Sequence, residues 1–164
     1  MDESSIWYPS VDDVLDIHES IVDEYSNTSS GVQDRGDIEF ALDYVQHGNF
    51  GAVPETLTEK AFHLLRLLVA NHPFVDGNKR TALNTVFVFY FFNGYRFAYD
   101  HEIRELLKSF GTDERAVDES AVIDYLEAHV EPIDLGGEID HWRDDLLEYG
   151  VDELTGTRTE DPND

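Results

Sequence analysis

The stretch His72-Pro73-Phe74-Val75-Asp76-Gly77-Asn78-Lys79-Arg80-Thr81 sets an imidazole, a carboxylate, a glycine, an amide and two adjacent cations within ten residues. That assortment suits a phosphate with its metal ion better than it suits a core. An imidazole titrates near neutrality and can take a proton from an attacking hydroxyl, which is the role open to His72. Asp76 offers a hard oxygen of the kind magnesium prefers when it accompanies a nucleotide. The residues after Gly77 read as the start of a helix, whose first amides lack acceptors and carry the positive end of the helix dipole. Gly77 permits backbone angles that turn those amides toward a ligand. Lys79 and Arg80 stand at the same point, one a compact point charge and the other a planar fork that can clamp phosphate oxygens. A plainer reading competes with this one. A helix ending at Asn71-His72 before Pro73 is ordinary punctuation, and Asp-Gly-Asn is an ordinary turn. Lys79 and Arg80 could also be solvated charges, although a helix start is the unfavourable end for cations.

The elements that must position this loop are helical by period. Ser10 can cap a helix carrying Val11, Val14, Leu15, Ile21 and Val22, with Asp12 and Asp13 in its first turn. A polar loop follows from Asn27 to Gly36. Ile38, Ala41, Leu42 and Val45 then mark a second amphipathic helix that stops near Gly48. Residues 48–56, with two glycines and Pro54, read equally as a connector or a short hairpin flap. Thr58 is placed to cap a third helix from Glu59 to about Ala70, apolar on most sides and therefore buried. The run Thr81 to Asn93 is rich in Val, Phe and Tyr, as strands are. Its length without a turn signal, closed by Asn93-Gly94, favours a second buried helix. Tyr95 to Tyr99 reads as a short strand, and two more helices are marked by Ile103, Leu106, Leu107 and Phe110, and by Val122, Ile123 and Leu126. Trp142, Leu146 and Leu147 suggest one further short helix in an acidic C-terminal stretch. The expected fold class is all-α: about six helices around a buried central pair, with a domain over residues 1–132 and an extension over residues 133–164.

Composition bounds the function. The 164 residues hold 36 acidic side chains against 11 basic ones, for a net charge of −25 and a pI near 4.3. Only Lys60, Lys79 and Lys108 are lysines. An aromatic content of 12% argues for a folded chain rather than a disordered acidic one. A carboxylate-covered surface fits concentrated salt, where the Debye length falls to roughly 3 Å at 1 M and self-repulsion is screened. This points to the cytoplasm of a salt-accumulating halophile. The charge argues against nucleic acid as a broad-surface ligand and disfavours an anionic membrane. Cysteine is absent, which removes thiol chemistry and fits a cytoplasmic address. His18, His47, His63, His101, His129 and His141 show no metal-ligand spacing and read as surface or partly buried structural residues. Trp7 and Trp142 read as anchors of the termini.

The central motif resembles the active-site loop of the Fic/Doc family, in the HPF-x-D-G-N-K-R-T form of Doc-type toxins. Upstream, the run from Gly31 to Leu42 is similar to the G-x-x-D-x-G-x-x-E-x-A-L segment of that family, and downstream Thr81-Ala82-Leu83-Asn84 and Asn93-Gly94-Tyr95 also match. The likeness spans about Val11 to Pro132. It implies a Fic/Doc-type helical fold in which His72 is the base that activates a target hydroxyl and Asp76 binds Mg²⁺. Gly77, Asn78, Lys79, Arg80 and the adjacent amides would hold the phosphates of ATP, with Phe74 as a buried anchor. AMP-transferring members usually carry glycine where this chain has Lys79 and a second arginine where it has Leu83. Doc-type members share the lysine and present the γ-phosphate to the target. The resemblance therefore implies a toxin kinase acting on a Tu-like translation elongation factor, with AMP transfer as the alternative. A catalytically silent antitoxin-binding module is the alternative of another class. The flap would dock the target segment. The internal inhibitory pattern [ST]-x-x-x-E-[GN] of many Fic proteins fails here, because Ser20 to Glu24 is followed by Tyr25. Inhibition would then fall to a separate Phd-like antitoxin partner.

Overall fold

The structure is a computed structural model and describes residues 6–134. The helix expected around Trp142, Leu146 and Leu147, and His141 beside it, lie outside the described residues. Contacts gather the described residues up to Pro132 into one compact unit. Its helices among the described residues are α1 (Val11–Glu24), α2 (Arg35–His47), α3 (Leu57–Ala70), α4 (Asn78–Phe92), α5 (Ile103–Thr112) and α6 (Glu119–Ala128). A 3₁₀ turn, Glu114–Ala116, lies between α5 and α6. Two short strands, β1 (Tyr95–Phe97) and β2 (Val130–Pro132), pair antiparallel with Arg96 opposite Glu131. The fold is all-α apart from this ribbon.

Local chemistry sets most helix starts. Ser10 and Asp13 form a reciprocal capping box at α1, each side chain accepting from the other's main-chain N–H. Asp34 caps α2, which starts two residues earlier than the loop reading to Gly36 allowed, by accepting from Gly36 N–H. At α3 the cap is Thr56, not Thr58. Thr58 is instead buried and pairs its hydroxyl with that of Tyr90 at 3.2 Å. Both threonines stand within three residues before Glu59, so only packing distinguishes the cap from the core residue.

The buried central pair is α3 and α4. Leu64, Leu65, Leu68 and Val69 of α3 meet Ala82, Val86, Phe89 and Tyr90 of α4 in one apolar cluster. The β-branched and aromatic content of α4 does not make a strand. Its buried positions recur at three- and four-residue spacing, and a helix satisfies its own backbone where neither face has a sheet partner. Asn93 then ties the chain start to this core. Its carbonyl accepts from Trp7 N–H at 2.9 Å, and its amide donates to the Trp7 and Phe89 carbonyls. Trp7 also packs on Phe92, as the anchoring expectation required.

Residues 48–56 form a hairpin tip rather than a plain connector. Asn49 and Ala52 exchange two hydrogen bonds of 3.0 Å across Phe50-Gly51, whose φ angles of 50° and 79° are those of a twist-matched two-residue turn. Gly48 is required there: at φ 71° a Cβ would stand 2.0 Å from the Ala52 carbonyl oxygen. The Phe50 ring is fully exposed at the tip.

The ribbon end is fastened by a titratable latch. The Asp100 carboxylate accepts from the Tyr125 hydroxyl at 2.9 Å and lies 3.2 Å from His129 Nε2. His129 Nδ1 donates to the Tyr125 carbonyl at 2.7 Å, so both ring nitrogens face acceptors and the charged imidazolium is favoured. The Tyr125 carbonyl first, and Asp100 second, raise the His129 pKa, while the Tyr125 hydroxyl is the chief cause that lowers that of Asp100. A raised histidine stabilises fully below its unfolded value of about 6.5 and loses that contribution as pH climbs through the folded value. A lowered carboxylate stabilises above about 3.9 and loses it as pH falls. His63 has the opposite sign: burial depresses it to about 4, so its contribution fades as pH falls below about 6.5. His129→Gln is therefore expected to flatten the decline in melting temperature between about pH 6 and 8, leaving the acid side to His63 and Asp100. Parallel thermal melts of both proteins across that range check it, and identical slopes refute the latch.

Candidate active site

The loop from Asn71 to Gly77 joins α3 to α4 and is held from two sides. From one side comes the segment before α2. The Pro73 carbonyl accepts from Gln33 and Asp34 N–H at 2.8 and 3.1 Å, Val75 N–H donates to Gly31, and Val32 pairs with Phe74 as an antiparallel bridge. From within, the Asn78 side chain closes the loop on Phe74. Its carbonyl accepts from Phe74 N–H at 2.9 Å and its amide donates to Phe74 O at 3.0 Å. Phe74 is almost wholly buried, as an anchor must be.

His72 is exposed and takes φ 49°, a left-handed angle that costs a non-glycine residue about 1–2 kcal/mol. Such strain persists only where the surroundings over-determine it, and it gathers at functional sites. Asp76 turns both carboxylate oxygens onto main-chain donors, Oδ2 accepting from Ser29 N–H at 3.1 Å and Oδ1 from Gly77 N–H at 2.8 Å. These bonds, Ser29's first, hold its pKa below the usual carboxylate range, so the group is ionised. Gly77 caps α4 at φ 76° with no side-chain acceptor for the first amides, and a Cβ there would meet Thr28 at 3.1 Å. Arg80 is fixed by its guanidinium lying 3.7 Å over the Tyr25 ring at the end of α1. The Lys79 stem runs against α5, where a Cβ at Gly111 would come 3.4 Å from its Cε.

All six site residues expected from the sequence line one cleft of about 530 Å³: His72, Asp76, Gly77, Asn78, Lys79 and Arg80. Asn27, Thr28 and Val75 complete its walls. The geometry refines one expectation, since the Asn78 side chain is engaged by Phe74, which leaves its main-chain N–H at the start of α4 as the donor available to a phosphate. Asp76 suits a magnesium ion. It is ionised and exposed, and each oxygen keeps a lone pair beyond its hydrogen bond. Among the described residues no group of three or more His, Cys, Asp or Glu could hold a metal ion alone. An ion here would share its shell with phosphate oxygens and water, as magnesium commonly does.

His18 was not legible as a site residue. It is buried on α1, stacks on Phe74 with centroids 3.8 Å apart and planes 6° apart, and donates from Nε2 to the Asp76 carbonyl at 2.8 Å. The signal was present in the sequence: Val14, His18 and Ile21 share the buried face of α1. A histidine within an apolar stripe needs a polar partner, and here the partner is the loop itself.

An open cleft at a helix N-terminus, lined by a base candidate, an ionised carboxylate and two cations, suits group transfer on phosphate-bearing substrates. The Fic/DOC family profile matches residues 8–90, and the chain belongs to that family. Membership makes it a Fic-type transferase in general, in a family whose enzymes use nucleotide substrates such as ATP. No curated protein matches the chain. Among the described residues no helix is long and apolar enough to cross a membrane.

Proposed function

We propose that this protein is a Doc-type toxin that transfers the γ-phosphate of ATP to a Ser or Thr hydroxyl of a Tu-like translation elongation factor in a salt-rich cytoplasm, under the control of a Phd-like antitoxin. The observation that carries this reading is the one cleft that His72 lines together with Asp76, Lys79, Arg80 and the start of α4. His72 accepts the proton of the attacking hydroxyl as its oxygen bonds to the γ-phosphorus. The bond from phosphorus to the β–γ bridging oxygen breaks, and ADP leaves. The α4 amides and Arg80 hold the phosphoryl oxygens, so catalysis is mainly positioning and charge neutralisation. Asp76 would hold Mg²⁺, which supplies neutralisation of phosphate charge when bound. The exposed Phe50 tip and the hairpin suit an extended target segment.

Phosphate transfer is favoured over AMP transfer by Lys79 and Leu83. Leu83 is apolar and only 9% exposed, so it offers no charge where AMP-transferring members place their second arginine. Incubation of the protein with host extract, Mg²⁺ and ATP labelled at either the α or γ position, in high salt, tests this. Label from the γ position alone should appear on one host protein. Label from the α position would overturn the kinase reading for AMP transfer, and label from neither would leave a module that binds its antitoxin without chemistry.

A further inference from the structure

Asp76 and Arg80 stand four residues apart across the start of α4 and line one cleft, yet among the described residues no ion pair joins them. Opposite charges at that spacing attract, and an arginine stem is long enough to span one helical turn. A meeting would occupy both groups, leaving the carboxylate less to offer a metal ion and the guanidinium less to offer a phosphate. One turn of chain at the exit of α1 keeps them apart. Tyr25 closes that helix, its N–H bonded to the Ile21 carbonyl at 3.0 Å, and Thr28 N–H donates back to the Tyr25 carbonyl at 2.9 Å. At the near end of the turn the Tyr25 ring lies 3.7 Å from the Arg80 guanidinium carbon. At the far end Ser29 N–H holds Asp76 Oδ2 at 3.1 Å. The same five residues therefore grip the cation with one end and the anion with the other. At 3.7 Å the guanidinium lies across the ring face, which leaves its N–H edges free for oxygen acceptors. The Tyr25 hydroxyl makes no hydrogen bond among the described residues, so the ring face is the part that acts.

We propose that Tyr25 is a positioning residue that holds Arg80 off Asp76, so that the two opposite charges of the cleft each meet their own part of a metal-bound polyphosphate. It rests on the reading of this cleft as the transfer site. Without the ring, the guanidinium falls back onto the carboxylate and the cleft neutralises itself before substrate arrives. Tyr25 touches no reacting atom and works through Arg80. It is 39% exposed, so leucine in its place leaves the core intact.

Two measurements test this, one of transfer and one of structure. Tyr25→Leu should lower the turnover of γ-label transfer about 10-fold or more, while Tyr25→Phe stays within about 3-fold of the wild type. In an Arg80→Gln background the same leucine change should add less than about 2-fold, because the two residues act as a unit. A crystal structure of Tyr25→Leu grown at about 0.1 M salt should show Arg80 paired with Asp76, nitrogen to oxygen within about 4 Å. Turnover of the leucine variant near that of the wild type overturns the proposal, as does a phenylalanine variant impaired as badly as the leucine one. So does a full further loss on top of Arg80→Gln, or an Arg80 still apart from Asp76 in the leucine structure. The structural arm needs no transfer. A wild type that moves no label defeats the kinase reading, and a paired Arg80 in the variant still leaves Tyr25 as the spacer. Transfer by the wild type with Arg80 unpaired in the variant does the reverse.

Discussion

His72→Gly should reduce label transfer from ATP by about 10²–10⁴-fold while leaving the fold as stable as before, or slightly more so. The two halves of this expectation have different causes. Removing the imidazole removes the group that accepts the hydroxyl proton, and Asp76, the other anionic group of the cleft, is a weak base because its main-chain hydrogen bonds hold its pKa below the usual carboxylate range. Removing the Cβ relieves the left-handed strain at φ 49°, which costs about 1–2 kcal/mol and is partly offset by the greater freedom of glycine in the unfolded chain. His72 is exposed, so little packing is lost. His72→Gln separates the effects, because it keeps the strain and still lacks a base. Both variants should be inactive, with the glutamine variant melting near the wild type and only the glycine variant able to melt above it. Transfer within a few-fold of wild type in either variant would remove His72 from the mechanism.

His18→Leu should lower the turnover of transfer by about 10²-fold with a much smaller change in the Michaelis constant for ATP. His18 meets no substrate in the proposed reaction and acts as a positioning residue. Its ring supports Phe74 from below, and its Nε2 proton fixes the Asp76 carbonyl, so it sets the height of the whole loop. Leucine nearly preserves the volume, and the stability cost should be about 1–2 kcal/mol for the lost hydrogen bond and altered stacking. A shift of about 1 Å in the loop is enough for the larger kinetic effect. His18→Asn, which keeps a donor but loses the ring, should recover little, because the shorter amide cannot both stack and reach. Turnover that falls only in proportion to the fraction of folded protein would make His18 purely structural.

Much of the site was legible in the order of residues because it is local. His72 to Thr81 is a single loop and helix start, and the chemistry of a helix N-terminus beside Gly77 follows from backbone geometry that ten residues carry within themselves. The same holds for the capping box of Ser10 and Asp13, and for the helical period that placed α1, α2, α5 and α6. Misplaced starts arose where two caps compete over one turn, as Thr56 and Thr58 do, since the choice rests on Tyr90, thirty-two residues away in the chain.

What lay outside the sequence is what packing joins. His18 reaches Asp76 across 58 positions, Ser29 reaches it across 47, and Tyr25 holds Arg80 from the end of a different helix. Arg104 and Lys108 on α5 share a cleft with Lys79 and Arg80 only because the fold brings the two helices together. The sequence alone determined which chemistry this protein can attempt, because imidazole, carboxylate and open amides follow one another along a single stretch of backbone. Tertiary structure alone decided how firmly that stretch is held and what flanks it, because burial and charge depend on which distant side chains share a space.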